Sequence, residues 1–214
     1  MHHPNILNRD TSCLVVIDVQ EPFLRVIFER DRIIENTRKL IAAAKVCSVP
    51  IVTTLQYPEK MGGLVQEISK MLPDDESISK TTFSCVGVPT FDARLRDLAR
   101  KQIIICGVES HICVAQTVLD LLHQGYQSHV CADAVSSRTA ETRCIGLGKM
   151  KQAGAIISST EGAIFELIRD ADSKEFKELL PVLKSPSMSL QNQPRHDESG
   201  CPIPAKTRSI ATTQ

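Results

Sequence analysis

Tryptophan is absent from this 214-residue sequence, and aromatic residues make up only 4% of it. The 25 Lys and Arg residues balance the 25 Asp and Glu residues, so the formal net charge is zero. Such a sequence offers neither the stacking platform nor the positive charge that nucleic-acid-binding proteins use. We therefore expect no nucleic acid partner, and the charge balance gives no reason to expect an anionic membrane surface as a partner either.

Long apolar runs are also missing, and none approaches the ~20 residues that a membrane-spanning helix needs. The opening MHHPNILNRD lacks the basic region and apolar stretch of a secretory signal peptide. The sequence thus predicts a cytoplasmic protein without a membrane partner. None of the eight cysteines is paired at C-x-x-C spacing, which argues against a zinc ribbon or a thioredoxin-type site. In a reducing compartment we expect them to be free thiols.

Short aliphatic runs alternate with longer segments of helical periodicity. The strand-like runs are 12–19, 49–55, 102–108, 127–135 and 155–160, and the helical segments are 31–48, 90–101, 111–126, 140–154, 161–168 and 173–183. Strands that are apolar on both faces and alternate with helices predict an α/β fold. We expect a three-layer, doubly wound, mostly parallel sheet with helices on both faces. One domain would cover residues 1–184, and the proline-rich polar segment 185–214 would be a flexible tail.

In open parallel sheets, ligands bind outside the carboxyl ends of the strands, so the residues that follow each strand are the informative ones. Asp18 follows the first strand and could serve as a general base or merely cap a turn. Tyr57 follows the second strand and could form a pocket wall or belong to an ordinary surface loop. Lys80, in SISKTTFSC, would matter only if it pointed into a cleft, where it could hold a carboxylate or stabilise a thiolate.

The segment ICGVESHICVAQT ends the third predicted strand and opens a helix. Cys106 is the last strand residue and is predicted to be an inert core thiol. If Ser110 caps the helix, Cys113 lies in its first turn, where free N–H groups and the helix dipole favour a thiolate and could hold an oxyanion. A merely buried cysteine is the alternative. His111, two residues earlier, points away from Cys113 on a helix and is predicted to line the pocket rather than to catalyse.

Three segments together resemble the isochorismatase-like cysteine hydrolases, which include nicotinamidases and N-carbamoylsarcosine amidohydrolase. The segments are VVIDVQEPF with Asp18, SKTTFS with Lys80, and CGVESHICVAQT with Cys113. They occur in the family's order, each at a predicted strand end, and the similarity extends over about residues 10 to 184. LQYPEKMGG and DAVSSRT resemble the isochorismatase domain-containing branch of that family.

The resemblance implies a catalytic triad. Asp18 would take a proton from Cys113, while Lys80 would hold the aspartate and favour the thiolate. The sulfur would attack a carbonyl carbon, expel ammonia or an amine, and leave a thioester that water hydrolyses with Asp18 as base. The family also has a cis peptide bond, here Val108–Glu109. The backbone N–H groups of Glu109 and Cys113 would then form the oxyanion hole.

Besides Glu109, five further residues are candidates for contact with the substrate in a small, partly apolar cleft. These are Gln20, Phe23, Tyr57, Phe83 and Ile112. Nicotinamidases bind a metal through histidines after the second strand, but the six histidines here are at 2, 3, 111, 123, 129 and 196. None lies between that strand and Lys80, so we predict no metal and no other cofactor, and nicotinamide is disfavoured as a substrate. Glu109 could recognise a cationic or hydrogen-bond-donating substrate, or it could point away.

Three functions remain open at this point. The first is a cysteine amidohydrolase that acts on a small molecule, and the second is a catalytically silent binding or scaffold protein. The third is a redox-sensing thiol protein, in which Cys106 or Cys131 would resolve an oxidised Cys113. The presence of Cys113 argues against vinyl-ether cleavage, since family members with that activity lack the cysteine. The resemblance further suggests a homo-oligomer whose interface closes the pocket.

Overall fold

The structure is a computed structural model that describes residues 3–72 and 76–184. Over these residues, six strands form one sheet in the order β3-β2-β1-β4-β5-β6. Every neighbouring pair is parallel. The strands are β1 (Ser12–Ile17), β2 (Ile51–Gln56), β3 (Ile78–Lys80), β4 (Gln102–Val108), β5 (Gln127–Ser136) and β6 (Ile156–Ser158). The predicted α/β fold is confirmed, and the predicted tail, 185–214, lies outside the described residues.

Helices cover both faces of the sheet. They are α1 (Glu21–Leu24), α2 (Arg30–Val46), α3 (Pro58–Met61), α4 (Gln66–Ser69), α5 (Pro89–Leu98), α6 (Ala115–His123), α7 (Ala140–Gln152), α8 (Thr160–Ile168) and α9 (Lys174–Leu183). The sequence did not predict α1, α3 or α4, and it indicated β3 only as a short β-prone stretch around Lys80. Elements of three or four residues are too short for hydrophobic periodicity to reveal them. None of the helices in the described ranges is long and apolar enough to cross a membrane.

Two hydrophobic clusters lie on opposite faces of the sheet because successive strand side chains alternate in direction. Leu14 and Val16 of β1 pack on one side with α2, α8 and α9. Val15 and Ile17 pack on the other side with α5, α6 and α7. All six residues of β1 are buried, as its continuous aliphatic run predicts for a central parallel strand.

Among the described residues, the cysteines depart from expectation at one position. Free, buried thiols are present at Cys13, Cys47, Cys85, Cys106, Cys113 and Cys131. Cys144, on α7, is disulfide-bonded. The expectation of free thiols is therefore wrong for Cys144, because it rested on an assumed reducing compartment and not on the positions of the thiols in space.

Strands β1 and β4 are neighbours at the centre of the sheet, with β2 and β3 on one side and β5 and β6 on the other. This order reverses direction between β1 and β4, and such a switch point opens a crevice at the carboxyl ends of the two strands. Asp18 follows β1 directly, and the segment with Cys113 follows β4. The topology therefore brings these two sequence-predicted residues to the same crevice.

Two glycines permit the close packing beneath this crevice. Gly107, in β4, has φ +118°, and a Cβ there would lie 2.0 Å from the Ile17 carbonyl oxygen. Gly146, in α7, lies against the backbone of Ser110, where a Cβ would come within 2.7 Å of the carbonyl oxygen. Gly146 thus lets α7 approach the segment that carries Cys113.

Candidate active site

Asp18 is the first residue beyond β1 and has a left-handed backbone conformation, φ 53°, which aspartate tolerates better than most side chains. Its side chain is buried, with only 1% of the residue exposed. The Thr54 hydroxyl donates to Oδ1 at 2.8 Å, and the Lys80 ammonium donates to Oδ2 at 2.6 Å. Both carboxylate oxygens are therefore held by donors from neighbouring strands.

Lys80 ends β3 and is buried, although isolated lysines are almost always exposed. Besides Asp18, its Nζ donates to Gln56 Oε1 at 2.6 Å and to the carbonyl oxygens of Thr82 and Phe83 at 3.2 Å each. Four acceptors thus surround the three protons of one ammonium group. A buried ion pair needs such additional hydrogen bonds to offset desolvation. The Lys80 side chain is therefore fixed inside the protein by its hydrogen bonds and is not a surface side chain.

Cys113 lies in a π-helical turn, Ser110–Val114, that precedes α6. Ser110 does not cap this turn as predicted. Glu109 precedes it with extended φ −90° and ψ 140°, and the Glu109 carbonyl accepts from the N–H groups of Ile112 and Val114 at 3.0 and 3.2 Å. Single π turns occur frequently at functional sites, and periodicity could not have distinguished this one from the start of an α-helix.

Cys113 and Asp18 line the same cavity, and the Asp18 carboxylate acts on the Cys113 thiol. Burial, and then the negative charge of Asp18, raise the pKa of Cys113 to about 12, while Lys80 acts in the opposite direction. The resting cysteine is therefore a protonated thiol beside a carboxylate. The sequence predicted that the start of the helix favours a thiolate at Cys113. In the structure, burial and the charge of Asp18 favour the protonated thiol instead.

Thr117 connects the loop after β3 to the turn that carries Cys113. Its hydroxyl donates to the Cys113 carbonyl at 2.7 Å and accepts from the backbone N–H of Cys85 at 3.0 Å. Cys106 and Cys131 belong to the cluster on the opposite face of the sheet from Cys113. Neither can reach Cys113 as a resolving cysteine, and this removes the pairing on which the redox-sensor hypothesis depended.

A cavity of about 210 Å³ opens beside Cys113. Its lining consists of Asp18, Phe23, Gln56, Tyr57, Met61, Phe83, Val108, Glu109, Ile112 and Cys113. Four of the five residues predicted to contact the substrate line this cavity, namely Phe23, Tyr57, Phe83 and Ile112. Gln56, Met61 and Val108 were not predicted. Gln56 and Val108 are the last residues of β2 and β4. Ligands bind at the carboxyl ends of parallel strands, so an inspection of every strand end would have found both residues.

Gln20 is not part of this lining, although the sequence predicted that it contacts the substrate. It is completely buried, and its Oε1 accepts from the Gln56 N–H at 2.8 Å. Its Nε2 donates to the carbonyl oxygens of Gln56 at 3.1 Å and Gly62 at 2.6 Å. These bonds hold the loop after β2, which explains a buried polar side chain without a substrate contact.

His111 also lies outside the cavity lining, contrary to the prediction that it lines the pocket. Its Nδ1 lies 2.9 Å from the Ser137 hydroxyl. This contact links the π turn to the segment after β5. The direction of the side chain away from Cys113 agrees with the separation of neighbours at i and i+2.

Glu109 lines the cavity, and its carboxylate oxygen Oε2 accepts from Arg138 Nε at 3.0 Å. The Glu109 side chain is 13% exposed and that of Arg138 is 57% exposed, so the pair spans from the cavity to solvent. The peptide bond Val108–Glu109 is cis, as the family resemblance predicted. Over residues 3–72 and 76–184, no group of three His, Cys, Asp or Glu side chains is placed to hold a metal ion. A metal-free site stays a prediction.

The parallel sheet and the crevice at its switch point define an open, doubly wound α/β protein. The isochorismatase domain model matches residues 12–162, and this chain belongs to the isochorismatase family of hydrolases. The secreted isochorismatase effector Isc1 of Phytophthora sojae is 42% identical over 187 residues, with 85% of this chain and 88% of the effector covered. Isochorismatase domain-containing protein 2 of Bos taurus is 38% identical, with 83% and 85% covered.

Solved structures show the same fold. The MAR1 ribonuclease of Caenorhabditis elegans has a TM-score of 0.79 and 35% identity, with 88% of this chain and 98% of that chain covered. The Escherichia coli YcaC product, described as an octameric hydrolase of unknown specificity, has a TM-score of 0.79 and 25% identity, with 86% and 91% covered.

Proposed function

We propose that this protein is a metal-independent cysteine hydrolase that cleaves an amide-type C–N bond of a small molecule through a thioester intermediate. The observation that carries the proposal is that Cys113 shares a cavity with the Asp18 carboxylate, which is itself paired with Lys80 at 2.6 Å. A nucleophile, a base and a group that orients the base thus lie close together beside a cavity. This arrangement supports catalysis over the silent binding protein, for which no such contacts are needed.

In the first half-reaction, Cys113 Sγ attacks the carbonyl carbon as its proton moves to Asp18. Proton transfer during attack avoids the need for a stable thiolate, which burial disfavours here. The backbone N–H groups of Glu109 and Cys113 are the proposed donors to the developing oxyanion. Asp18 then gives its proton to the leaving nitrogen, the C–N bond breaks, and ammonia or an amine leaves behind a Cys113 thioester.

In the second half-reaction, water attacks the thioester carbonyl while Asp18 takes one of its protons. The C–S bond breaks, Cys113 regains a proton from Asp18, and the carboxylic acid product leaves. Lys80 and Thr54 each hold one oxygen of Asp18, at 2.6 and 2.8 Å, which fixes the orientation of the base in both half-reactions. Such fixed geometry is the main contribution that a protein makes to this type of step.

The names of two relatives suggest other substrates. A ribonuclease acts on a phosphodiester, and isochorismate is a dicarboxylate. The cavity lining here contains the carboxylates of Asp18 and Glu109 but no lysine, arginine or histidine. Either anionic substrate would therefore meet negative charge next to Cys113, which favours an uncharged amide over both.

We also propose a homo-oligomer. Phe83 and Tyr57 line the cavity, yet 54% and 39% of their surfaces are exposed. Exposed aromatic residues at the edge of a site are suited to burial by another subunit, and the YcaC neighbour is described as octameric. A cytoplasmic location stays a prediction, since the effector Isc1 is named as secreted.

The test is a panel of small amides, with ammonia release as one readout and intact mass spectrometry as the other. We expect turnover in the wild type and none in Cys113→Ala, with acyl-enzyme adducts confined to the peptide that contains Cys113. Cys47→Ala, which removes another buried thiol, is the matched control and should retain turnover. Turnover that persists in folded Cys113→Ala, or a panel that gives neither ammonia nor adduct, overturns the proposal.

A further inference from the structure

We propose that Glu109, held in place by Arg138, makes the cavity select neutral or cationic amides that carry a second N–H donor and exclude substrates whose acyl part is a carboxylate. This inference rests on the proposed function, because it concerns the substrate that Cys113 would attack. It names the class of substrate and assigns a role in specificity to a side chain outside the triad.

The first observation is the sign of the charges that face the cavity. Its two ionisable carboxylates are those of Asp18 and Glu109, and no cationic side chain is part of the lining. The ammonium of Lys80 compensates Asp18, but four protein acceptors already surround it. The Lys80 ammonium has no donor left for an anionic ligand. The carboxylates of Asp18 and Glu109 would therefore repel an incoming carboxylate, and no cation of the lining would bind it.

The second observation is the asymmetry of the Glu109 carboxylate. Oε2 accepts from Arg138 at 3.0 Å, while no protein donor within the described ranges reaches Oε1. Arg138 is more than half exposed and does not line the cavity. Its guanidinium thus holds one oxygen of the carboxylate from the solvent side, and Oε1 is the acceptor that we assign to the ligand.

A carboxylate accepts hydrogen bonds and cannot donate them. A substrate with an N–H group beyond the scissile carbonyl, such as a carbamoyl or amino group, would satisfy Oε1. A substrate with a carboxylate at the same place would bring its negative charge next to that of Glu109. The site is partly desolvated, so this repulsion would be stronger than in water. The apolar side chains of Phe23, Met61 and Ile112 complete the wall and offer an anion no compensation.

The test compares two alkylating reagents of nearly the same size that differ in charge. Iodoacetamide is neutral and donates N–H hydrogen bonds, whereas iodoacetate is an anion. Both attach to the same Cys113 sulfur with loss of iodide, so the ratio of their rates does not depend on the thiolate fraction. The ratio is measured at pH 8 by peptide mass spectrometry on the folded protein and again in denaturant, which supplies the intrinsic preference of the reagents.

We expect the ratio of iodoacetamide to iodoacetate labelling to be about tenfold higher in the folded protein than in denaturant. Glu109→Gln should lower this ratio severalfold, and Arg138→Gln should raise it, because the carboxylate then loses its cation. Glu161→Gln removes an exposed negative charge at the start of α8 and should leave the ratio unchanged.

Equal ratios in the folded and denatured protein, or a Glu109→Gln ratio that matches the wild type, overturn the role of Glu109 in specificity while leaving the proposed nucleophile intact. Absence of amide turnover by the wild type, with Cys113 still labelled, is a different result. It overturns the proposed function itself and the inference with it. Opposite shifts in the two variants of the ion pair support the inference even if one of them is less stable.

Discussion

Lys80 Nζ lies 2.6 Å from Asp18 Oδ2, and both side chains are almost completely shielded from solvent. The two residues are 62 positions apart in the chain. They meet because β1 and β3 flank β2 and all three strands end at the same edge of the sheet. The pair stands beside the Cys113 thiol, so its charges control both the reactivity of the sulfur and the stability of the fold.

Asp18→Asn is expected to lower the pKa of Cys113, because the negative charge of Asp18 raises it in the wild type. The midpoint of pH-dependent alkylation by iodoacetamide should therefore move to lower pH. Amide hydrolysis should nevertheless fall by about 10²- to 10⁴-fold, since the general base is lost. A midpoint that moves upward would contradict the assignment of Asp18 as the negative charge that raises the pKa of Cys113.

Lys80→Met is expected to leave the Asp18 carboxylate buried without its cation. Removal of one partner of a buried ion pair costs about 3–5 kcal/mol of unfolding free energy, which urea denaturation would measure. The pKa of Cys113 should rise further, because Lys80 lowers it in the wild type. Lys151→Met, at an exposed position of α7, is the control and should change stability little.

Thr54→Val is expected to remove the hydroxyl that donates to Asp18 Oδ1 at 2.8 Å while keeping the shape of the side chain. The loss should destabilise the protein by about 1–3 kcal/mol, since a buried charged group loses a donor. The pH profile of hydrolysis should also shift, which a purely structural role would not cause. Thr54→Ser keeps the hydroxyl and should restore the wild-type profile.

Gly146→Ala is expected to separate α7 from the π turn, because the new Cβ would lie 2.7 Å from backbone atoms of Ser110. Alkylation of Cys113 should change and stability should fall. Gly148→Ala, in the same helix with no atom within 4 Å of its added Cβ, is the matched control. It should stabilise the protein by about 0.5–1 kcal/mol through helix propensity. Equal effects of the two substitutions would refute the packing argument.

His129 is expected to make the protein sensitive to acid. It is fully buried, neither ring nitrogen has a hydrogen-bond partner among the described residues, and burial lowers its pKa to about 4. The unfolded chain binds a proton near pH 6.5. The unfolded state therefore binds more protons than the folded state between about pH 6.5 and 4. As the pH is lowered through that window, the free energy of unfolding decreases by up to about 3 kcal/mol.

His129→Met should remove this contribution to the pH dependence of the unfolding free energy. His123→Gln, at an exposed position at the end of α6, should leave the contribution in place. Urea denaturation at half-unit steps from pH 4 to 7.5 measures both variants. A wild-type curve that is flat between pH 6.5 and 4 would show that the buried imidazole does not titrate as its surroundings imply.

The amino-acid sequence by itself determined the α/β class and the positions of Asp18 and Cys113. Buried parallel strands appear as uninterrupted aliphatic runs such as LVVI and IIIC, and ligand sites in such sheets lie at the strand ends. Both signals are local, so a reading along the chain detects them. The family segments added Lys80 and the cis peptide Val108–Glu109, which the structure contains.

Only the tertiary structure decided what those residues contact. Gln20 binds backbone groups, His111 reaches Ser137, and Glu109 pairs with Arg138, which is 29 positions away. The protonated state of Cys113 depends on burial and on charges contributed by two other strand ends. Side-chain direction, burial and the distance between charges arise only when separate elements pack together, so no pattern along the chain records them.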